Sequence, residues 1–256
     1  MINILMNGCN GKMGQVITRL SKEYENINII AGVTRNPAKL QNPYPAYQSF
    51  KDAASIHDVD VVLDFSNPEM LPEAIEYCVE HRIALVVGTT GLSEKDYETL
   101  RQASASIPVF VSANMTFGIS VLIDLALKAA SHLGEEFDIE ILEKHHNEKK
   151  DAPSGTAIMI ANELKNHLDA PMELIYDRSK ATEKRKPNEI GISAIRGGTI
   201  PGEHTVFFAG KDEIIEIKHT ALSRDILGRG AIRAACYTAS KTKGFFSMKT
   251  MLEEMI

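Results

Sequence analysis

The chain has 256 residues, 44% of them hydrophobic and 24% charged, with a formal net charge of −6 from 28 basic and 34 acidic side chains. That composition is that of a globular protein of one large or two modest domains, and the acidic balance argues against a dedicated nucleic-acid binder. Three scattered cysteines, Cys9, Cys78 and Cys236, stand in no metal-ligand spacing and predict a reducing, cytoplasmic setting without structural zinc. No apolar run approaches the ~20 residues of a membrane span, and no signal-peptide core opens the chain.

Ile2 to Met6 reads as a strand, Gly8 to Gly14 as a turn, and Lys12 to Tyr24 as a helix with Met13, Val16, Ile17 and Leu20 at helical spacing. Ile27 to Val33 and Val59 to Phe65 are strands. Pro68 to His81 is a helix, Ile83 to Val87 a strand, Ser93 to Ser104 a helix with Ser93 as N-cap, and Pro108 to Ser112 a fifth strand. Strands alternating with helices predict βαβ units and a parallel sheet, with ligands at the strands' carboxyl ends. The rhythm changes after about residue 115. Ile119 to Leu133 is an apolar helix, Phe137 to His145 a strand and Ser154 to Leu168 a helix; Gly191 to Arg196, Thr205 to Ala209 and Glu213 to His219 then follow as strands with short connections. Such succession predicts antiparallel pairing and an α+β second domain with a mixed or antiparallel sheet. Asp177 to Pro187 carries five Lys or Arg against two acids, and reads as either a solvated loop or a basic lid over an anion. Ser223 to Ser240 and Met248 to Ile256 read as helices.

Gly8-Cys9-Asn10-Gly11-Lys12-Met13-Gly14 stands at the first strand-to-helix turn, where glycines let the backbone approach a pyrophosphate at a helix N-terminus. Its G-x-x-G-x-x-G spacing is also that of a plain glycine turn, and it is the βαβ setting that favours a Rossmann-type, doubly wound dinucleotide site. The second strand ends in Thr34-Arg35 rather than in the acid that would hold an adenosine ribose. Arg35 is either a 2′-phosphate contact or a solvent-facing arginine. Asp64-Phe65-Ser66 and Gly88-Thr89-Thr90-Gly91 both fall at strand carboxyl ends. The densest run extends from Glu143 to Ala157. His145 and His146 offer imidazoles for proton transfer, Lys149 an ammonium, and Gly155-Thr156 at a helix start offer backbone N–H groups to a carboxylate. The run lacks a third and fourth ligand for a metal.

The run EKHHNEKKDAPSGTA resembles the signature of the dihydrodipicolinate reductase family (4-hydroxy-tetrahydrodipicolinate reductases) of bacterial lysine and diaminopimelate biosynthesis. So do GCNGKMG, DFSNP, GTTG, Ser112-Ala113-Asn114-Met115, RGGTIPGEHTVFF and ALSRDILGRGAIRAA, which extends the likeness over nearly the whole chain.

The resemblance implies a dinucleotide-binding domain from residues 1–116 plus 226–256 and a substrate and oligomerisation domain from 117–225. It implies NADPH and/or NADH as cofactor, bound by Gly8, Cys9, Asn10, Gly11, Lys12 and Met13 at the pyrophosphate. Arg35 would lie at the adenosine end, with Gly88, Thr89, Thr90, Ser112, Ala113, Asn114 and Met115 beside the nicotinamide. It implies His145 and Lys149 as proton-transfer residues, and His146, Gly155 and Thr156 as contacts of a small cyclic dicarboxylate. The family's homotetramer is built through the second domains. This chain departs from the family pattern at Thr34, where an acid is often found, at Lys12 in place of arginine, at Asn114-Met115-Thr116 in place of Asn-Phe-Ser, and at Glu183 to Arg185, which lack the usual glycine. The alternatives are another two-domain NAD(P)-dependent dehydrogenase, which has no need of the His145 to Thr156 run, and a non-catalytic dinucleotide-sensing module, which would carry inert residues there.

Overall fold

The computed structural model describes residues 1–39, 41–179 and 181–255. In chain order the elements are β1 (Ile2–Asn7), α1 (Lys12–Ser21), β2 (Ile27–Val33), β3 (Ala46–Tyr47), β4 (Val61–Asp64), α2 (Leu71–His81), β5 (Ala84–Val87), α3 (Glu94–Ala103) and β6 (Pro108–Val111). Then come α4 (Phe117–Leu133), β7 (Asp138–His145), α5 (Gly155–His167), β8 (Glu173–Ile175), β9 (Glu189–Arg196), β10 (Glu203–Ala209) and β11 (Ile214–Thr220). The chain ends with α6 (Asp225–Ala239), β12 (Gly244–Phe246) and α7 (Met248–Glu253). They form two compact units, Met1–Phe117 with Asp225–Ile256, and Gly118–Arg224.

The first unit is a seven-stranded, wholly parallel sheet in the order β12-β6-β5-β4-β1-β2-β3. Alternate strand residues serve opposite faces, as the pleat requires. Ile4, Met6, Leu63, Val86 and Phe110 pack with Ile17 and Leu20 of α1 and with the alanines of α6. Leu5, Val62, Leu85 and Val109 pack with Leu71, Ala74 and Cys78 of α2 and Leu100 of α3. The continuous apolar strands are thus buried on both sides. β3, β8 and β12 have two or three residues each, too few to leave a pattern in the sequence.

The second unit is a five-stranded sheet in the order β11-β10-β7-β9-β8. It is mixed, as expected, and β10 and β11 pair antiparallel as expected, but the pairing of β9 needs correction. β10 is antiparallel to both β7 and β11, but β9 lies parallel to β7 and β8, and β9 and β10 are not neighbours. The reason is the helix between β7 and β9: α5 carries the chain back along the sheet, as in a βαβ crossover, so the next long strand runs parallel. Gly197-Gly198 then passes over the end of β7, with Gly197 N–H donating to His145 O (2.9 Å).

One face of this sheet is covered by α4 and α5, with Ile139, Ile141, Ile192, Val206 and Phe208 against Leu122, Ala126, Ile160 and Leu164. The expectation about apolar runs is also corrected: Phe117–Glu136 forms a helical stretch of 20 residues with mean hydropathy 1.3, long enough to cross a membrane. In the fold it is amphipathic, with Ile119, Leu122, Ala126 and Ala130 buried and Asp124 paired to Lys128 outside. A single buried stripe of this kind is how a helix covers one face of a sheet.

Two glycines decide how closely α6 packs. A Cβ on Gly230 would lie 1.6 Å from the carbonyl oxygen of Met115, and one on Gly228 would lie 2.7 Å from Leu20 Cδ1. A backbone carbonyl cannot yield, whereas a leucine methyl can rotate away. Gly230→Ala is expected to destabilise the protein by about 1–3 kcal/mol through overpacking, despite the ~1 kcal/mol that alanine gains in a helix. Gly228→Ala is expected to cost less, and denaturant unfolding of the two variants checks the ranking. Buried His204 on β10 is hydrogen-bonded through Nε2 to Ser154 Oγ (3.0 Å), the hydroxyl that also accepts from Ala157 N–H. Burial, with the nearby His145 charge, lowers the His204 pKa to about 4. Unfolded histidine protonates near 6.5, so the unfolded chain takes up the proton first as pH falls. Stability is expected to drop by about 3 kcal/mol between pH 6.5 and 4 from this residue, and His204→Gln is expected to flatten that slope in thermal unfolding.

Candidate active site

Because β1, β2, β4, β5 and β6 are parallel, their carboxyl ends share one edge, and the residues singled out in the first unit gather there. The order reverses between β4 and β1, the switch point where open α/β sheets bind ligands. Gly8 takes φ +84°, and a Cβ there would strike Phe65 O at 2.4 Å. Gly11 is the N-cap of α1 and gives it no side-chain cap, and no acid stands in the first turn. An anion therefore suits that helix end, where Lys12 is exposed. Gly88 lies under the Phe65 ring, with no room for a Cβ.

Polar contacts hold this edge rigid. Asp64, fully buried, accepts from Asn7 Nδ2 (2.7 Å), Ser66 Oγ (2.5 Å) and Thr89 Oγ1 (2.7 Å). Burial raises its pKa, and these three donors offset part of the rise. Asn10 Nδ2 donates to Asn36 O and its Oδ1 accepts from Asn42, which joins the glycine loop to the loop after β2. Thr34 is buried while Arg35 is exposed. Thr90 and Ala113 are exposed, and Ser112 Oγ donates to Asn114 O within the loop after β6. At two of the expected cofactor positions the side chain turns away: Cys9 is buried against Gly32, and Met115 lies in the core, so both leave only backbone at this edge.

In the second unit the His145 to Thr156 run folds into one cluster at the end of β7. His145 ends that strand, and His146 to Pro153 form the turn to α5. Asn147 N–H donates to Gly198 O (3.1 Å), which clasps the turn to the loop after β9. Lys149 Nζ donates to Asp151 (2.9 Å), an exposed pair of the kind that contributes ~0–1 kcal/mol and gives way to a competing anion. Ser154 caps α5 by accepting from Ala157 N–H, and beside exposed Gly155 there is open space.

The residue that organises this cluster is Glu143, fully buried, to which the sequence reading gave no role of its own. Its Oε1 accepts from Arg196 Nη2 (2.7 Å) and Ser154 N–H (2.9 Å); its Oε2 accepts from Arg196 Nη1 (2.8 Å) and lies 2.6 Å from His145 Nδ1. Burial by itself would raise the carboxyl, but the Arg196 guanidinium, His145 and the Ser154 amide outweigh it and hold Glu143 below the ordinary glutamate range. A signal was present: an acid at 143 shares a strand face with Ile139 and Ile141, and a charge on an apolar face demands a partner. Arg196 follows from the parallel register that sets it opposite His145.

The basic segment does not join the cluster. Arg178 pairs with Glu189 and Glu140, and Arg185 with Asp138 and Glu140, at the opposite end of β7 from His145. Among its described residues the segment is therefore a surface loop tied down by ion pairs; Lys180 lies outside them. Among the described residues no group of histidine, cysteine or acidic side chains is arranged to hold a metal.

Family models for the dihydrodipicolinate reductase N-terminus and C-terminus match residues 2–115 and 118–252. The 4-hydroxy-tetrahydrodipicolinate reductase of Caldanaerobacter subterraneus is 47% identical over 254 residues, 99% of each chain. That of Clostridium tetani is 44% identical over 252 residues, 98% of this chain and 97% of the other. Among solved structures, a dipicolinate-bound dihydrodipicolinate reductase from Paenisporosarcina sp. TG-14 shares the fold with TM-score 0.81 at 21% identity, over 98% of this chain and 99% of that one. With matched models over both halves and relatives this similar along the full length, the chain belongs to the dihydrodipicolinate reductase family.

Proposed function

We propose that this chain is the NAD(P)H-dependent oxidoreductase of lysine and diaminopimelate biosynthesis that reduces 4-hydroxy-tetrahydrodipicolinate, via dihydrodipicolinate, to tetrahydrodipicolinate. The observation that carries the reading is the cluster of His145, Lys149 and the α5 N-terminus, which answers the chemistry of a small cyclic dicarboxylate. Two carboxylates must be neutralised and one proton supplied. Gly155 and Thr156 bind one carboxylate through first-turn amides where the helix end is positive. His146 contacts the substrate from the turn. The single proton is delivered at the developing charge by the pair of His145 and Lys149, and Lys149, released from Asp151, also contributes a cation.

In the first unit Gly8, Cys9, Asn10, Gly11, Lys12 and Met13 line the dinucleotide's pyrophosphate: the Gly8, Cys9 and Gly11 amides donate to the Val33 and Gly8 carbonyls and shape the loop, and the α1 N-terminus and the Lys12 charge face the anion. Gly88, Thr89, Thr90 and the segment Ser112, Ala113, Asn114 and Met115 line its nicotinamide side. When bound, the reduced nicotinamide supplies the hydride, and the protein supplies orientation and electrostatics. Arg35, exposed beside buried Thr34, reads the adenosine end, where no acid repels a 2′-phosphate. NADPH is therefore used at least as well as NADH. The enzyme works in the cytoplasm as a homotetramer joined through the second domains. The sheet face away from α4 and α5 supports that assembly, since it presents Leu142 and Phe207 half-buried and Ile195 and Ile214 44% and 63% exposed.

Cofactor oxidation is expected only when the fresh condensation product of aspartate semialdehyde and pyruvate is supplied, and a spectrophotometric assay with each dinucleotide tests this. Lys149→Ala and His145→Ala are each expected to lower kcat about 10²–10⁴-fold with dinucleotide affinity unchanged, while His146→Ala raises KM. Arg35→Ala is expected to weaken NADPH by about 10–100-fold, the equivalent of one charge-assisted contact of roughly 1.5–3 kcal/mol, and to leave NADH nearly untouched. In sedimentation, a double variant Ile195→Glu, Phe207→Glu is expected to break the tetramer into smaller folded species.

A further inference from the structure

We propose that Glu143, clamped by Arg196, is a positioning residue that keeps a proton on His145 Nδ1, so that proton exchange with the substrate runs through Nε2, and that fixes this imidazole relative to the start of α5. The inference rests on the reading of His145 as the proton-transfer group and adds how that group is held.

The geometry leaves little choice. Each Glu143 oxygen takes two contacts: Arg196 and Ser154 N–H at Oε1, Arg196 and His145 at Oε2. An ionised carboxylate only accepts, so at 2.6 Å His145 Nδ1 must be the donor. That leaves Nε2 as the ring atom that can exchange a proton. Gly202, φ +147°, keeps the space beside it open, for a Cβ at that position would come to 3.3 Å of Nε2. The charged and titratable groups beside the ring include Arg196 on β9, which shares Glu143 with it, and His204 on β10, on which His219 of β11 and Lys149 of the turn also act. His204 stands edge-on to it (centroids 5.2 Å apart) and stays neutral, engaged with Ser154. Arg196 already balances the Glu143 charge, and its Nη2 also donates to Asp151 O (2.6 Å), so it holds the Lys149 turn as well.

A purely structural ion pair would have no need of the imidazole. Here one buried carboxylate ties together β7, β9 and the N-cap of α5. The proton-exchanging imidazole and the carboxylate-binding amides are thereby set in one frame, which is what a reaction requiring both in register needs.

The test is Glu143→Gln. Glutamine keeps the shape but has one acceptor oxygen; Arg196 and Ser154 claim it, so its amide N–H₂ faces His145 Nδ1 and favours the Nε2–H tautomer. Nitrogen-15 NMR of histidine-labelled protein is expected to show neutral His145 protonated on Nδ1 in the wild type and on Nε2 in the variant. Loss of the carboxylate also disfavours the imidazolium, so the His145 limb of the kcat/KM profile is expected to move to lower pH. kcat is expected to fall at least about tenfold, with NADPH affinity by fluorescence titration unchanged. Glu143→Asp, which keeps the charge, is expected to restore the limb. Wild-type His145 with its proton on Nε2, or a folded Glu143→Gln with wild-type kcat and pH limb, overturns the inference. Should Glu143→Gln fail to fold, the wild-type NMR and Glu143→Asp decide. Absence of any turnover by the wild type would refute the reductase reading and leave the NMR test of the tautomer standing.

Discussion

The second unit is organised around a charge that has no business in an apolar face. Glu143 points from β7 into the layer between sheet and helices, where an unpaired carboxylate would cost several kcal/mol. It is tolerated because a guanidinium from β9, an imidazole from its own strand and a backbone amide from the start of α5 meet it from three directions. Each of those partners is also a part of the candidate site or a neighbour of one. The compensation that makes the charge tolerable therefore also sets the positions of His145, of the Lys149 turn and of the Gly155-Thr156 amides.

The first unit solves a different problem. A parallel sheet buried on both faces leaves only its carboxyl edge for chemistry, and the loops there must come close to one another and to a ligand. Glycines at 8, 11, 14 and 88 give the clearance, and the Asp64 network of Asn7, Ser66 and Thr89 locks the loops across the switch point between β1 and β4. Buried polar groups satisfied in this way specify one arrangement more sharply than apolar packing does.

Two readings that the local sequence left incomplete are decided by partners distant along the chain. Of three short-linked strands expected as antiparallel neighbours, β10 and β11 are so paired, whereas α5 returns the chain so that β9 joins β7 in parallel, and the sheet is mixed. The basic segment was open to reading as a lid because five cations share eleven residues, but carboxylates of β7 and β9, distant in sequence, pair with Arg178 and Arg185 at the far end of the strand. Charge on a loop says what it can bind and nothing about which partner is nearest.

Taken alone, the sequence determined the alternation of strand and helix, the glycine turn that opens α1, the capped helix after the histidine pair, and the membership of His145, His146, Lys149, Gly155 and Thr156 in one short run. These are local properties, governed by periodicity, capping and backbone freedom within a few residues. Only the tertiary structure decided that Arg196 stands beside His145, that Ser154 and His204 are hydrogen-bonded between α5 and β10, and that Cys9 and Met115 turn their side chains inward. Those facts depend on strand register and on contacts between residues some fifty positions apart, such as Glu143 and Arg196. No periodicity in the chain encodes such a distance, because register is settled by the packing of whole elements against one another.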